Sequence, residues 1–218
     1  MLSDSQIDRY CRQIVLPEIG SRGQERLLEA VVAIHGGGDA AVVCASYLSG
    51  AGVGRLWLGG VGAPGPAGRA LAGGDDGADF AAVTRDRNPD CRLLAAQPER
   101  PSLAVWISPA LPDCASRGTP IVWGGTSAER AACLYVPPGG CWECARAVAA
   151  GERCEGSSAL LGTLLALLAL RALLGFEDGG RASVLRLDLA RLTVARSPLP
   201  PRPSCGVCAA AAADSPRT

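Results

Sequence analysis

Apolar residues occur along this chain in short runs that are separated by glycine, proline or charged residues. Apolar runs bounded by turn residues predict strands, and apolar residues at helical spacing predict helices. The predicted strands are residues 31–34, 55–58, 93–95, 103–107, 120–123, 132–136, 183–189 and 192–196. The predicted helices are residues 3–13, with Ser3 or Asp4 as N-cap, and residues 24–30, 78–87 and 157–174. Because strands and helices alternate, we predict an α/β fold with a doubly wound, Rossmann-like, mostly parallel sheet and a C-terminal antiparallel portion.

The stretch that organises this pattern is residues 31–54, in which an apolar run leads into three glycines and then into a second apolar segment. A strand, a tight glycine turn and a helix in this order are typical of a nucleotide-binding unit, because the helix N-terminus offers free N–H groups to a phosphate. The pattern G-x-G-x-x-G/A is met by Gly36, Gly38 and Ala41. Asp39 lies inside the same turn, where its carboxylate would repel an anion, so the fingerprint is degenerate.

Residues 59–77 consist largely of glycine, alanine and proline, and this composition predicts a mobile loop without regular structure. Residues 209–218 are predicted to form a disordered tail. The apolar run at residues 159–170 is followed by Arg171 and is too short to cross a bilayer, which favours a buried helix.

Composition and charge exclude several classes of partner and chemistry. The formal net charge is +0 and no basic block is present, so neither nucleic acid nor an anionic membrane is an expected partner. The chain contains no lysine and therefore cannot supply one to a P-loop or to a Schiff base. The N-terminus is polar and carries no secretory signal, so we expect a cytoplasmic location in which the 10 cysteines stay reduced.

Two Cys-x-x-Cys pairs are the strongest chemical signal in the chain. Cys141 and Cys144 form the first pair, and Cys205 and Cys208 form the second. Two residues between cysteines place both sulfurs on one side of a tight turn, and two such turns complete a tetrahedron around zinc. Ordinary buried cysteines and a redox pair are the alternative interpretations. We predict a closed, structural zinc knuckle with four cysteine ligands, which leaves no open position for catalysis.

The predicted metal site defines the domain organisation, because it would tie the end of the chain back to its middle. We expect a single domain at residues 1–208, made of an N-terminal arm (1–30), a Rossmann-like core (31–136) and a zinc-clamped C-terminal part (137–208). Residues 6–17 of the arm have little chain of their own against which to bury their apolar residues, so we expect these to pack across a homodimer or heterodimer interface. They are Tyr10, Ile14, Val15 and Leu16.

Several short motifs occur together in this chain. They are Arg-Tyr-Cys-Arg-Gln at residues 9–13, Leu-Pro at 16–17, Gly-Gln-Glu at 23–25, Ala-Gly-Val-Gly at 51–54, Asn-Pro-Asp at 88–90 and the two late Cys-x-x-Cys pairs. This combination resembles the ThiF/MoeB/HesA adenylyltransferases, relatives of the ubiquitin-activating enzymes, over most of residues 6–208. The resemblance implies a doubly wound sheet, a dimer, and the use of ATP–Mg²⁺ to adenylate the C-terminal glycine of a ubiquitin-like sulfur carrier.

The resemblance also implies roles for two residues. Arg12 matches the arginine that reaches the ATP phosphates of a partner subunit, where a guanidinium neutralises developing charge. The alternative for Arg12 is a surface residue that forms an ion pair. Cys154 lies where the family carries a thiol after the first cysteine pair. It is either a nucleophile or a spectator, since no neighbouring base is evident.

The residues with which this family handles ATP are largely missing here. Residues 59–71 contain neither the acidic residues that hold ribose nor the Asn-x-x-Arg that follows them, and no lysine exists to contact the nucleotide. Trp106 stands at the strand end where a metal-binding aspartate is expected, and residues 106–109 contain no carboxylate. A displaced Mg²⁺ ligand from Asp75 or Asp76 is the alternative.

His35 is the only histidine and ends the first predicted strand. It is either a buried ring with a hydrogen-bonded nitrogen or a catalytic residue. The four tryptophans indicate packing in the core and at the knuckle, and Trp106 would help to fill the space that adenine takes in the family.

Three functions fit these observations. We favour a non-catalytic family member that binds neither ATP nor Mg²⁺ and acts as a zinc-stabilised scaffold or pseudo-subunit. It would pair as a homodimer, or as a heterodimer with an intact homologue, in the activation of a ubiquitin-like sulfur carrier or a peptide. The second is an active adenylyltransferase of a sulfur carrier or peptide C-terminus with a rearranged nucleotide site. The third is a carrier- or peptide-binding module that delivers substrate to another enzyme.

Overall fold

The computed structural model describes residues 1–60, 65–71, 80–108, 118–127, 129–151, 158–177, 181–199, 202, 204–206 and 208. Three residues with a predicted role and the predicted tail lie outside this part of the chain. They are Asp75, Asp76, Cys154 and residues 209–218.

Within the described residues, eight strands form one sheet, and each run that is predicted as a strand supplies one of them. The strands are β1 (Val31–His35), β2 (Arg55–Gly59), β3 (Arg92–Leu93), β4 (Leu103–Ile107), β5 (Ile121–Thr126), β6 (Arg130–Val136), β7 (Ser183–Asp188) and β8 (Thr193–Pro198). Their spatial order is β3-β2-β1-β4-β5-β6-β7-β8. The pairs from β3 to β5 are parallel, and those from β5 to β8 are antiparallel. This sheet confirms the predicted fold class.

Helices connect the strands and cover the two faces of the sheet. They are α1 (Asp4–Ile14), α2 (Gly20–Glu29), α3 (Gly38–Gly50), α4 (Pro66–Leu71), α5 (Phe80–Arg87), α6 (Trp142–Gly151) and α7 (Ala159–Leu174). Ser3 caps α1 as predicted, because its side chain accepts from the Gln6 amide while the Gln6 side chain accepts from the Ser3 amide. α7 is capped by Ser158 and stops at Gly175, which adopts the left-handed conformation.

The two faces of the sheet bury different groups of side chains, because successive strand residues point to opposite faces. On one face, Val32, Val105 and Val122 belong to a cluster that includes buried residues of α3 and α7. α7 is apolar around most of its circumference, and its position against both α3 and the sheet explains this composition. On the other face, Trp123 and Leu134 pack with buried alanines of α6. Among the described helices, none has both the length and the apolar character that a membrane crossing needs.

The stretch rich in glycine, alanine and proline is more regular than its composition predicts. Gly59 is the last residue of β2, and Pro66–Leu71 forms α4, so the prediction of a loop over residues 59–77 is wrong at these positions. The helix begins with proline, whose missing N–H costs nothing at a first helical position. Asp39 Oδ1 also accepts a hydrogen bond from Gly68 N at 2.9 Å. A contact from α3 thus supports a helix that local composition does not predict.

The N-terminal arm is partly buried within its own chain. Tyr10 is only 1% exposed, because its ring packs against Gly52 and its hydroxyl bonds to Asn88. The prediction that Tyr10 belongs to a dimer interface is therefore wrong. Val15 and Leu16 remain 73% and 46% exposed, so the free apolar surface of the arm includes these two side chains.

A buried carboxylate fixes the last strand against α7. The Glu177 side chain is 3% exposed and accepts hydrogen bonds from Arg171 Nε, at 3.0 Å, and from Arg196. Arg171 lies in the last turn of α7, and Arg196 lies on β8. A buried carboxylate is costly unless it is paired, so the two arginines are needed to keep Glu177 inside. The network holds β8 in place just before the second cysteine pair.

Candidate functional site

The four paired cysteines form one cluster. Their sulfur atoms all lie within 4.8 Å of one another. Cys141 Sγ is 3.6 Å from Cys205 Sγ, and Cys144 Sγ is 3.6 Å from Cys208 Sγ. Each of these contacts joins one pair to the other, so the cluster fixes the second pair to the start of α6.

The cluster fits a tetrahedral metal ion. A metal–sulfur distance of about 2.3 Å places four tetrahedral sulfurs about 3.8 Å apart, which is close to the 3.6 Å contacts. The backbone N–H of Arg202 donates to Cys144 Sγ at 3.3 Å, a bond that would support a thiolate ligand. Burial raises the pKa of the Cys144 thiol, so a bound cation is needed to favour its deprotonated form. The four cysteines can hold a metal, and they would fill all of its tetrahedral positions.

A cavity of about 500 Å³ adjoins the cysteine cluster. Its lining comes from the ends of β6, β7 and β8 and from the start of α6, and most of it is apolar. The described lining residues are Pro137, Pro138, Gly139, Gly140, Cys141, Cys144, Arg181, Ala182, Pro198 and Leu199. Arg181 is the one charged side chain among them. The cavity can therefore hold an apolar segment that carries a negative charge or a polar end.

The glycine turn lies at the carboxyl end of β1, where the strand order reverses between β1 and β4. Open α/β sheets bind their ligands at such a position. Gly36 has a φ of 123°, and a Cβ there would overlap with the Ile107 carbonyl oxygen, so the position requires glycine. Gly38 has a φ of 70° and begins α3, and Ala41 is buried in the first turn of that helix. The three residues of the predicted fingerprint thus do form the turn.

Asp39 places a negative charge beside this turn. It lies in the first turn of α3, and its Oδ1 accepts the hydrogen bond from Gly68 N. A Cβ built on Gly65 would lie 2.7 and 2.9 Å from the two carboxylate oxygens, so the start of α4 packs directly on this group. A carboxylate so close to the turn opposes a phosphate through like-charge repulsion.

Three aromatic side chains meet on one face of the sheet near the carboxyl ends of β1, β2 and β4. His35 stacks on Trp106, with ring centroids 3.7 Å apart and 5° between the ring planes. Trp57 meets His35 in an edge-to-face arrangement with centroids 5.1 Å apart. Burial lowers the pKa of His35, so the ring is neutral at neutral pH. We call Trp57, His35 and Trp106 the aromatic stack.

The sequence alone did not reveal the aromatic stack as a unit, because its three members lie on separate strands. The signal that could have found it is positional. Each member stands at or near the carboxyl end of a predicted parallel strand, and parallel strands end at the same edge of a sheet. In the register, His35 is paired with Trp106, which places both side chains on the same face.

Comparison with known proteins finds relatives that match about a quarter of the chain. No family model matches the chain. The adenylyltransferase and sulfurtransferase MOCS3 of Bos taurus is 53% identical over 57 residues, which are 26% of this chain and 12% of that protein. The sulfur carrier protein adenylyltransferase of Thermus thermophilus is 49% identical over 51 residues, 23% of this chain and 19% of that protein. Protein HesA of Trichormus variabilis is 46% identical over 57 residues, 26% of this chain and 22% of that protein.

These partial matches confirm the resemblance of the sequence to the ThiF/MoeB/HesA-type adenylyltransferases. Solved structures share its fold. PaaA aligns with a TM-score of 0.65 at 16% identity, over 91% of this chain and 84% of PaaA. Escherichia coli MccB, solved with ATP, aligns with a TM-score of 0.66 at 16% identity, over 94% of this chain and 75% of MccB. The likeness to these structures concerns the fold alone. The sequence matches span less than a quarter of each curated relative.

Arg12, for which the ThiF/MoeB/HesA resemblance implies a role in trans, is exposed in the last turn of α1. No described residue forms an ion pair with it. The ion pair of this helix is made by Arg9, whose Nε lies 3.1 Å from Asp90 Oδ2. The alternative of a surface ion pair is therefore not realised by Arg12 within the described chain, and its guanidinium is free to meet a second molecule.

Proposed function

We propose that this chain is a non-catalytic member of the ThiF/MoeB/HesA family that acts as a zinc-stabilised scaffold or pseudo-subunit. Its task would be the activation of a ubiquitin-like sulfur carrier or of a peptide. The observation that carries this proposal is the environment of the glycine turn. The Asp39 carboxylate lies beside the turn, and the aromatic stack lies at the same edge of the sheet. An ATP–Mg²⁺ site needs positive groups around the phosphates and a carboxylate for the metal.

Several independent features oppose catalysis at this edge. The chain has no lysine, and the end of β4 offers Trp106 and Ser108 where a metal ligand is expected. Loss of one charge-stabilising contact costs about 3 kcal/mol of transition-state stabilisation, or roughly 10²–10³ in rate. Such losses need not add, but several of them together would make adenylation undetectable.

The sheet and the cysteine cluster are both present, and this supports a role as a scaffold. We infer that the cysteine cluster binds zinc in a closed structural site, because four sulfurs at tetrahedral spacing suit this ion. The site would clamp residues 137–208 to the core and make residues 1–208 one domain. We also infer a reducing, cytoplasmic environment, in which thiols bind metal in preference to forming disulfides.

Arg12 supports the pseudo-subunit part of the proposal. An exposed guanidinium that has no partner among the described residues can stabilise phosphate charge in the active site of an intact homologue. The Thermus thermophilus relative is named for a sulfur carrier, and MccB has been solved with MccA. A carrier protein or a peptide is accordingly the substrate class that we propose for the joint activity.

The cavity beside the cysteine cluster favours a second candidate, a carrier- or peptide-binding module without any role for Arg12. Its apolar lining and its single described cation suit an extended apolar segment. Peptide binding that is abolished by Leu199→Asp, while the zinc content stays unchanged, would favour this second function.

Nucleotide binding by the zinc-loaded chain tests the leading proposal. We expect calorimetry to give a dissociation constant for ATP–Mg²⁺ no tighter than about millimolar, and we expect no exchange of pyrophosphate into ATP. The Thermus thermophilus sulfur carrier protein adenylyltransferase serves as the positive control in the same buffers. A micromolar dissociation constant for this chain would support the rearranged active enzyme instead.

A further inference from the structure

Several polar contacts join helix α1 to the core. Tyr10 Oη lies 3.1 Å from both Asn88 Oδ1 and Asp90 Oδ2, either of which can accept its proton. The same oxygen accepts a hydrogen bond from Asn88 Nδ2 at 2.9 Å. Burial raises the pKa of Tyr10 to about 12, so its hydroxyl keeps the proton and remains a donor at neutral pH.

Asp90 lies within hydrogen-bond distance of three donors on this one helix. Besides the Tyr10 hydroxyl, they are Gln6 Nε2 on Oδ1 at 3.2 Å and Arg9 Nε on Oδ2 at 3.1 Å. Residues three and four apart lie on the same side of a helix, so the three donors share one face of α1. Hydrogen bonds to a carboxylate are stronger than those between neutral groups. The carboxylate is thus a three-point anchor for α1.

Packing beneath the ring extends this anchor into the core. Gly52 has a φ of 94°, and a Cβ there would lie 2.9 Å from Tyr10 Cε1 and overlap with Gln24 Nε2. Asn88 Nδ2 also donates to the carbonyl oxygen of Ser49 at 2.6 Å. The contacts therefore join α1 to the C-terminal ends of α3 and α5.

The docking of α1 on the core determines the direction in which the Arg12 side chain points. Residues two apart in a helix point to nearly opposite sides, so the exposed Arg12 side chain points away from the buried Tyr10 ring. An isolated helix of 11 residues is marginal in water, so α1 without its anchor would not hold Arg12 in one place. We propose that the turn at residues 88–90 is a positioning element that fixes the direction in which Arg12 reaches a partner subunit. This inference rests on the proposed function of Arg12.

Amide hydrogen exchange of the zinc-loaded chain tests the docking itself. Asp90→Ala should raise exchange of the α1 amides by about tenfold or more, while the amides of α3 and α7 keep their rates. Tyr10→Phe removes only the hydroxyl and should give a smaller increase. Val184→Ala is the control, because it creates a cavity under α6 on the opposite face and should leave α1 exchange unchanged. Unchanged α1 exchange in Asp90→Ala would overturn the proposal.

Stimulation of an intact homologue from the same genome tests the positioning. At saturating concentrations, the wild-type chain should raise the adenylation rate of that homologue, and Arg12→Ala should not. Asp90→Ala should lose about tenfold of the stimulated rate although Arg12 is present, because a misplaced group lowers the maximal rate. Asp90→Asn keeps one acceptor oxygen and should recover part of the effect. Equal stimulation by wild type and Asp90→Ala overturns the positioning inference alone. No stimulation by wild type overturns the role of Arg12 and this inference with it.

Discussion

Asp39 Oδ1 accepts a hydrogen bond from the backbone N–H of Gly68 over 2.9 Å. This bond joins the first turn of α3, beside the glycine turn, to α4. Helix α4 has only 6 residues, and a helix of that length is not stable by itself. The carboxylate that makes the turn unfavourable for phosphate therefore has a structural role of its own.

Replacing Asp39 should separate these two roles. Asp39→Ala removes the acceptor for the first turn of α4, and we expect the free energy of unfolding to fall by about 1 kcal/mol, as for the loss of a helix cap. Asp39→Asn keeps an acceptor oxygen and should lose less, which denaturant unfolding can measure. Neither variant should bind ATP, because the missing lysine and carboxylate are not restored. Micromolar ATP binding by Asp39→Ala would show that this one charge blocks the site.

The cysteine cluster predicts one zinc ion per chain. Cys205→Ser should release it and lower the melting temperature by about 10 °C or more, because folding and metal binding share one free energy in such sites. Elemental analysis and thermal unfolding measure the two effects. Cys11→Ser changes an exposed thiol outside the cluster and should preserve both the zinc and the melting temperature. A stable wild-type chain without metal would contradict the prediction.

His35 predicts a pH dependence of stability. Its pKa is lowered by burial, so the unfolded chain binds the proton more readily than the folded chain. The stability contributed by the neutral ring is therefore complete above the ordinary pKa of about 6.5 and is lost as the pH falls through the folded-state value. Denaturant unfolding between about pH 7 and 5 should show a steeper loss for the wild type than for His35→Phe, which keeps a flat ring. If the free energy of unfolding falls equally with pH in the wild type and in His35→Phe, then His35 has the same pKa in the folded and unfolded chain.

The exposed apolar end of the arm predicts self-association or association with a homologue. Light scattering should show a dimer, and Val15→Glu should weaken it, because a charge buried in an apolar interface is costly. Val194→Glu places the same charge on β8, where the side chain is 66% exposed, and should leave the association unchanged. A monomer at micromolar concentration, with no homologue co-purifying from the native host, would count against this interface.

The sequence alone was sufficient for features with a local cause. The β4 strand has the predicted bounds, because a short apolar run between turn residues favours a buried strand. The cap at Ser3 could be predicted for a similar reason, since capping involves residues only three positions apart. The two Cys-x-x-Cys pairs indicated a shared site, and the structure brings their sulfurs together.

Features that depend on contacts between distant residues were decided by the tertiary structure. Helix α4 forms where composition predicts a loop, because Asp39 accepts a bond from it. Tyr10 is buried within its own chain because its hydroxyl bonds to Asn88 and its ring packs against Gly52. A short arm with apolar residues had instead suggested a dimer interface. The stack of His35 on Trp106 exists because two strands far apart in sequence are adjacent and in register. Local patterns specify which elements form, but the packing of those elements determines which side chains meet.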